Sequence, residues 1–480
     1  MLFLPAAGYR NNSDGTLNNA GSNGNYWSST ANDANNSYNL NFNSGNANTN
    51  NNNRNNGLSC RCVAELSVNR FFPVETWRAA SLHFSIIMER QQLLEDILAA
   101  YYEARRHKRN TINQLRFEFN QEHEIINLCD EILTRTYKIR PSICFVIDKP
   151  VKREVFAADF RDRVVHHLLY NYINPVFEMQ FIDDAYSCRK GKGTHYGIKR
   201  VAGFMRECSQ NYTEDCYILK LDISGYFMNI DKGVLLKKIH GMLGCRGAMH
   251  CVSTVQDREM TDYLIHEILK NDPREGCILK GLLTDWDNLP PSKSLFHSPE
   301  NCGLPIGNLT SQLFSNVYLH DFDCFVKNEL QIAYYGRYVD DFVLIHPDKA
   351  FLLSAKEKIR DYLRENCGLT LHPKKIYLQH YTKGIAFLGA YIKPNRIYIG
   401  NRTKNNFFRT VRQTDMILAG AKDFPPLHNV RASINSYLGI MKHYNTYNIR
   451  RKALLSAPHE FFNYGYLNGL GKYVLKKNIF

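Results

Sequence analysis

Most of the chain has the apolar spacing of amphipathic helices. From Met88 onward, one face of a predicted helix carries Leu93, Leu94, Ile97, Leu98 and Tyr101. Helical patterns dominate residues 112–215, and they return over residues 404–455 with a break at two adjacent prolines. Helices are therefore expected on both sides of a central region whose pattern is different.

The central region has the pattern of buried strands. An apolar run over residues 217–223 includes one acid, Asp222. Two further β-rich runs enclose Val339, Asp340 and Asp341 at the separation of a hairpin. Each run is short and rich in aromatic and β-branched residues, as strands usually are.

A second hairpin is predicted to turn at Pro394 and Asn395. Residues 241–300 interrupt the strand pattern, and we expect them to form a helical and loop insertion. Helices around an antiparallel sheet make an α+β fold the expected class.

Residues 1–64 differ in composition from the rest of the chain. Twenty of these residues are Asn, a content too polar to form a core alone, so the segment is expected to be largely disordered. Three stretches nevertheless resemble pieces of a β-rich module, at residues 3–10, 26–29 and 58–63. Residues 65–87 are expected to be a linker.

The chain is basic, with 60 Lys and Arg against 46 Asp and Glu and a net charge of +14. Residues 401–480 carry 13 basic and 3 acidic side chains, a net charge of +10. Because these basic residues alternate with aromatics and Asn, a nucleic acid is the expected partner rather than a membrane. No apolar run approaches 18 residues, so no membrane span is predicted.

The 13 cysteines are scattered and include no Cys-x-x-Cys pair. This usage is typical of reduced thiols in a cytoplasmic protein. The first ten residues have too short an apolar stretch for a signal peptide.

The acids Asp222, Asp340 and Asp341 are candidates for catalysis. Adjacent strands could bring them together, and two Mg²⁺ ions would offset their mutual repulsion. Such an ion pair can hold the attacking and leaving oxygens of a phosphoryl transfer. An exposed hairpin turn is the alternative interpretation of Asp340 and Asp341 alone.

Three further motifs accompany the acids. Residues 302–312 predict a tight loop before a helix, residues 371–375 form a basic turn, and residues 149–153 form a basic cluster before Asp162 and Arg163. The two basic segments could bind phosphates. Taken singly, an ordinary loop and surface ion pairs would explain them equally well.

Together, in this order and spacing, the motifs over residues 88–455 resemble those of a reverse transcriptase. The resemblance implies a right-hand polymerase with fingers at 88–215, a palm at 216–395 whose antiparallel sheet carries the Tyr-Val-Asp-Asp hairpin, and a basic helical thumb at 396–480. The function it implies is RNA-directed DNA polymerisation, with dNTPs, template RNA and the RNA–cDNA duplex as partners.

Within that family the chain looks most like the reverse transcriptases of diversity-generating retroelements. Ile306 and Ser311-Gln312 stand where other members usually have Gln and Ser-Pro, and residues 162–167 and 187–195 also fit the subgroup. Met228-Asn229 departs from the Pro-Ser more common there. The subgroup copies a template-repeat RNA with errors at adenines, commonly with a small basic accessory oligomer, and is encoded by bacteria or phages.

The resemblance also assigns roles to individual residues. It implies that Asp222 and Asp340 are essential ligands of two Mg²⁺ ions, with Asp341 and the adjoining Ile223 less certain. The residues expected to bind the nucleotide are Phe227 under the sugar, Ile306, Gly307 and Gln312 in the loop, and Arg153, Lys152, Lys149 and Lys375 at the phosphates. Those expected to bind the duplex are Arg409, Arg412, Lys442, Arg450, Arg451 and Lys452.

The resemblance suggests an origin for the Asn-rich segment. Target proteins of such elements are often C-type-lectin-like, and residues 1–64 resemble the C-terminal part of such a variable region. Asn codons are also rich in adenine. Residues 1–64 are therefore interpreted as an in-frame template repeat, with Met88 near the working start. A retron or group II intron enzyme, a catalytically silent RNA-binding protein and a displayed lectin-like binding protein stay as alternatives.

Overall fold

The computed structural model describes residues 74–106, 111–148, 151–244, 255–419 and 424–476, together with the strands of the N-terminal segment. The chain divides into two compact units, Met1–Phe84 and Ser85–Phe480. Within the described residues, no helix is both long and apolar enough to cross a lipid bilayer.

Six strands lie in the N-terminal unit. They are β1 (Tyr9–Arg10), β2 (Leu17–Asn18), β3 (Gly24–Ala31), β4 (Asn36–Phe42), β5 (Ala47–Asn53) and β6 (Gly57–Leu58). They form two antiparallel sheets with the orders β2-β1-β6 and β3-β4-β5. The Asn content predicts a largely disordered segment, whereas the structure has two sheets here. Strand pairing joins backbone N–H and C=O groups to one another whatever the side chains are.

The larger unit contains most of the helices. Their bounds are α1 (Val74–Arg105, which begins in the smaller unit), α2 (Ile112–Phe119), α3 (Gln121–Leu133), α4 (Phe160–Glu178), α5 (Thr194–Cys208), α6 (Lys232–Gly244), α7 (Val255–Lys270), α8 (Leu309–Tyr318), α9 (His320–Cys324), α10 (Lys349–Cys367), α11 (Asn401–Ala419), α12 (Phe424–Met441), α13 (Tyr447–Leu455) and α14 (His459–Tyr464). The start of α1 at Val74 lies inside the stretch expected to be a linker.

Twelve strands are described in this unit. They are β7 (Ile143–Ile147), β8 (Arg153–Ala157), β9 (Tyr217–Asp222), β10 (Ile278–Leu279), β11 (Tyr334–Tyr338), β12 (Asp341–His346), β13 (Tyr377–His380), β14 (Ile385–Phe387), β15 (Ala390–Lys393), β16 (Arg396–Ile399), β17 (Gly465–Asn468) and β18 (Lys472–Leu475). The mixture of helices with antiparallel sheets confirms the predicted α+β class.

The central sheet has the order β11-β12-β9-β13, and every neighbouring pair is antiparallel. Strands β9, β11 and β12 are largely buried on both faces, whereas the edge strand β13 is partly exposed. The main core joins strand residues such as Leu219 and Phe342 to residues of α4, α6, α8 and α10, including Val165, Leu235 and Phe314. This burial explains why β9 and β12 appear in the sequence as nearly continuous apolar runs.

A separate hairpin, β7–β8, is extended by β10, which pairs in parallel with β7. Glu154 on β8 ties the segment after α7 to this hairpin. Its carboxylate accepts hydrogen bonds from Trp286 Nε1 at 2.8 Å, Ser294 Oγ at 3.0 Å and Leu295 N at 2.7 Å. Part of the expected insertion is therefore docked on the hairpin.

The C-terminal helices have their own core. It contains Phe407, Val411, Ile434, Leu438 and Phe461, with Tyr473 from the β17–β18 hairpin. The predicted second hairpin is a three-stranded sheet, because Leu388 and Gly389 take positive φ angles of 49° and 81° and separate β14 from β15. The first strand of the expected thumb, β16, pairs with β15 in this sheet.

Candidate active site

The structure brings the three predicted acids together at one end of β9 and β12, the two inner strands of the central sheet. In the register of β9 and β12, Asp341 lies opposite Asp222. The backbone N–H of Ile223 donates to the carbonyl of Asp340 at 3.1 Å. Residues more than 100 positions apart in the sequence therefore meet, because two antiparallel strands end at the same level.

Two lysines contact these acids. Lys375 Nζ lies 2.8 and 2.9 Å from the two carboxylate oxygens of Asp222. Lys220 Nζ lies 3.1 Å from Asp341 Oδ2. The predicted basic turn thus reaches the acids, since the N–H of His372 also donates to the carbonyl of Asp222 at 2.7 Å.

Burial and crowding of like charges perturb two of the acids. Burial raises the pKa of Asp340 to about 6, and repulsion from Asp222 adds to this rise. Burial also raises the pKa of Asp341 to about 6, although the neighbouring Lys220 opposes the shift. Ionising either carboxyl group therefore costs free energy until a further positive charge binds nearby.

One buried oxygen at this site is suited to a cation. Among the described residues, Asp341 Oδ1 has no hydrogen-bond partner. A buried carboxylate oxygen without a partner costs free energy, and coordination of a hard divalent cation would recover it. The donor set of clustered carboxylates therefore fits Mg²⁺, with Asp222, Asp340 and Asp341 as the residues that would hold it.

The expected nucleotide loop lies against β8. The N–H of Phe156 donates to the carbonyl of Ile306 at 3.0 Å, and the N–H of Leu304 donates to the carbonyl of Phe227 at 2.8 Å. Phe227 and Ile306 pack against the same small apolar cluster. Gly307 has a φ of +133°, and a Cβ atom there would lie 2.9 Å from the carbonyl oxygen of Phe156. Only glycine suits this close approach.

The other predicted nucleotide-binding residues are not all free to bind. Lys152 Nζ donates to the carbonyl of Asp287 at 2.6 Å. Arg153 is the first residue of β8, and Lys149 lies outside the described residues. Gln312 is exposed on α8 and accepts a hydrogen bond from Cys188 Sγ at 3.2 Å.

The C-terminal basic residues divide into two groups. Five of the predicted duplex-binding side chains are exposed, namely Arg409, Arg412, Lys442, Arg451 and Lys452. Arg450 is half-buried and donates to the carbonyl of Leu470 at 2.6 Å. Arg450 therefore supports the β17–β18 hairpin.

Sequence reasoning missed Lys220 among the residues that contact the acids. Its signal was present, because Lys220 interrupts an apolar strand two positions before Asp222 and so shares a sheet face with it. A charged residue inside a strand buried on both faces usually needs an opposite charge close by.

A second group of possible metal ligands lies elsewhere. The ligand atoms of His240, Asp262 and His266 are within 4.8 Å of one another. All three side chains are about half exposed, and His240 Nε2 lies 2.7 Å from Asp262 Oδ1. This hydrogen bond accounts for the arrangement without an ion.

Comparisons with known proteins agree with this geometry. A family profile described as reverse transcriptase (RNA-dependent DNA polymerase) matches residues 152–392. Protein YkfC of Escherichia coli strain K12 is 23% identical over 312 residues, which cover 58% of this chain and 73% of YkfC. A profile described only as a domain of unknown function matches residues 1–63.

Solved structures similar to the chain include telomerases. The apo telomerase of Candida tropicalis is 13% identical with a TM-score of 0.41, over 68% of this chain and 58% of the telomerase. The telomerase of Candida albicans bound to a fragment of telomeric RNA is 12% identical with a TM-score of 0.36, over 73% of this chain and 61% of the telomerase. The chain thus spans less than two thirds of these telomerases.

The reverse transcriptase profile covers half of the chain and includes every strand of the central sheet. It contains the three clustered acids, the loop against β8 and the basic turn. The chain therefore belongs to the reverse transcriptase family, the RNA-dependent DNA polymerases.

Proposed function

We propose that the chain extends a DNA primer on an RNA template at the site formed by Asp222, Asp340 and Asp341. The observation that carries this proposal is the pairing of Asp341 with Asp222, together with the buried Oδ1 of Asp341, which has no hydrogen-bond partner among the described residues. Two bound divalent cations would lower the pKa of the primer 3′-hydroxyl and neutralise the departing pyrophosphate. Asp222, Asp340 and Asp341 are the residues that would hold these cations.

Each neighbouring residue has a role consistent with this reaction. Lys375 pairs with Asp222 and lies in a basic turn, so it can exchange that carboxylate for a phosphate oxygen when the nucleotide arrives. Arg153, with Lys152, is the candidate for the remaining phosphates. Phe227 would lie against the incoming sugar, where a ring excludes a 2′-hydroxyl and thereby selects deoxynucleotides.

Primer extension tests this proposal. Purified protein should incorporate dTTP on poly(rA) primed with oligo(dT), with a requirement for Mg²⁺ or Mn²⁺. Asp340→Asn should abolish extension, whereas Asp361→Asn should not, because Asp361 pairs with Arg364 on the exposed face of α10. Extension by Asp340→Asn at the parent rate would exclude the assigned site, and cation-independent binding of RNA without synthesis would favour the silent RNA-binding alternative.

We further propose that the enzyme is error-prone at template adenines and serves a diversity-generating retroelement. An aliphatic side chain at position 306 cannot donate a hydrogen bond to the nucleotide or template, so the incoming base is held less firmly. Ile306→Gln should lower misincorporation opposite adenine, measured by sequencing cDNA from a defined RNA. An unchanged error spectrum at equal extension rate would contradict this role and leave a retron or group II intron enzyme as the alternative.

The proposed subgroup also predicts the role of residues 1–64 and the partners. We propose that this segment is a translated template repeat and that a small basic accessory oligomer and structured RNA assist the polymerase, in the cytoplasm of a bacterium or in a phage-infected cell. A variant that begins at Met88 should keep full activity. Because α1 begins at Val74, a second variant that begins there separates the loss of the Asn-rich segment from the loss of the first 14 residues of α1, which are about four helical turns.

A further inference from the structure

The turn that carries Asp340 contains a strained residue. Val339 lies between β11 and β12 with a φ of +58°. A β-branched residue rarely adopts this left-handed conformation, because its side chain crowds the backbone. Such strain persists only where the surrounding structure fixes it.

Both backbone polar groups of Val339 are held by side chains. Its N–H donates to Ser187 Oγ at 3.3 Å. Its carbonyl accepts a hydrogen bond from Arg337 Nη1 at 3.0 Å. The two contacts act on opposite ends of the residue and therefore restrict both of its backbone dihedral angles.

Each of these two side chains is fixed by a further buried partner. Ser187 Oγ donates to Asn316 Oδ1 at 2.9 Å, and Asn316 Nδ2 donates to the carbonyl of Ser187 at 2.8 Å. Arg337 forms two hydrogen bonds with Asp323, from Nε to Oδ1 at 2.7 Å and from Nη2 to Oδ2 at 2.6 Å. All four of these side chains are at most 1% exposed.

The network draws on separate parts of the fold. Ser187 lies between α4 and α5, Asn316 lies on α8 and Asp323 lies on α9, while Arg337 belongs to β11. The backbone continues the connection, because the N–H of Tyr186 donates to the carbonyl of Arg337 at 2.9 Å. The turn is thus fixed by three segments outside the hairpin together with Arg337 of the hairpin's own strand β11.

We propose that Ser187, Asn316, Asp323 and Arg337 are positioning residues that hold Val339 in its left-handed conformation and thereby set Asp340 and Asp341 for cation binding. An apolar pair could fill the space of Arg337 and Asp323 without the desolvation cost of two buried charges. The ion pair instead keeps one guanidinium nitrogen available for the carbonyl of Val339. This inference rests on the proposed function, since it concerns the same acids.

Ser187→Ala is the first test, because it removes one contact to Val339 with little change in volume. The matched control is Ser209→Ala, a buried serine whose hydroxyl donates to the carbonyl of Met205 at 2.6 Å in α5. Mn²⁺ affinity, followed by calorimetry and electron paramagnetic resonance, and thermal stability are measured alongside primer extension. Ser187→Ala should weaken Mn²⁺ binding and lower kcat by about tenfold each, with the KM for dTTP within about twofold of the parent. Ser209→Ala should leave both quantities unchanged.

Two further variants distinguish positioning from general stability. Glycine adopts positive φ without strain, so the penalty of Ser187→Ala should shrink in a Val339→Gly background. The paired change Arg337→Met with Asp323→Leu keeps the space filled and avoids an unpaired buried charge. It should fold and still show the same loss of Mn²⁺ affinity and kcat.

The proposal is overturned if Ser187→Ala and the paired variant bind Mn²⁺ and extend primers like the parent, whatever happens to their melting temperatures. It is also overturned if Val339→Gly leaves the Ser187→Ala penalty unaltered. A parent protein that binds Mn²⁺ but does not extend primers would defeat the proposed function alone. The comparison of Mn²⁺ affinities between parent and variants would still decide the positioning role.

Discussion

Asp340→Asn should stabilise the metal-free protein while it abolishes primer extension. Asp340 is buried beside Asp222, and both burial and this repulsion raise its pKa to about 6. Ionising this carboxylate therefore costs free energy in the folded protein, whereas a neutral amide of the same shape has no such cost. The substitution separates two properties that usually fall together, the free energy of unfolding and the activity.

The magnitude follows from the pKa shift. A rise from 3.8 to about 6 corresponds to about 3 kcal/mol of destabilisation when the group is ionised in both states. Because the folded pKa lies above the unfolded value, the penalty is absent below pH 3.8, grows as the pH rises and is complete above pH 6. Asp340→Asn should therefore be more stable than the parent by about 3 kcal/mol at pH 7.5 and by about half of that at pH 5.

Urea unfolding in the presence of EDTA at both pH values measures this difference. Adding Mg²⁺ should stabilise the parent and have little effect on Asp340→Asn, since binding to the folded state alone raises its stability. Asp361→Asn is the control and should stay within about 0.5 kcal/mol of the parent, because its ion pair with Arg364 is exposed. If Asp340→Asn proves no more stable than the parent at pH 7.5, or if the difference does not change with pH, the penalty assigned to the buried and crowded Asp340 carboxylate is refuted.

Three other variants probe different parts of the fold. Gly307→Ala should destabilise the protein by about 1–3 kcal/mol and raise the KM for dNTPs, since its Cβ would press on the carbonyl of Phe156; urea unfolding and extension kinetics check this. Glu154→Gln should cost about 1–3 kcal/mol and speed proteolysis within residues 271–301, because an amide cannot accept all three hydrogen bonds. Arg409→Ala with Arg412→Ala should weaken duplex binding and reduce the slope of log K against log salt by about 2, measured by fluorescence anisotropy; an unchanged slope would remove these residues from the interface.

The hairpin at Asp340 and its partner strand were predictable because their information is local. Apolar runs define β9 and β12, each run meets an acid at its end, and antiparallel pairing then leaves few registers in which the buried faces match. The start of α1 was not predictable in the same way. The apolar pattern before Met88 is less regular, so periodicity alone places the start of the helix there. The observed helix begins earlier, at Val74.

The residues that hold the turn before Asp340 cannot be recognised from the local sequence pattern around them. Ser187 and Asn316 are 129 positions apart, and each alone is an ordinary small polar residue. Their role depends on a hydrogen bond that forms only once α8 packs against the segment after α4. Arg337 immediately precedes the Tyr-Val-Asp-Asp motif, but its partner Asp323 lies in a helix whose pattern gives no reason to expect a fully buried carboxylate.

Helix α8 links the two halves of the site. Near its first turn, Thr310 Oγ1 lies 2.8 Å from His166 Nδ1 of α4, just after the loop that carries Ile306 and Gly307. Near its other end, Asn316 fixes Ser187 and hence the turn before Asp340. A ten-residue helix is about 15 Å long and stiff, so a shift of α8 would move the nucleotide loop and the metal-binding turn together. Substitutions in the buried face of α8 should therefore alter the KM for dNTPs and Mn²⁺ affinity in the same variant, whereas changes at exposed Gln312 should spare Mn²⁺ affinity.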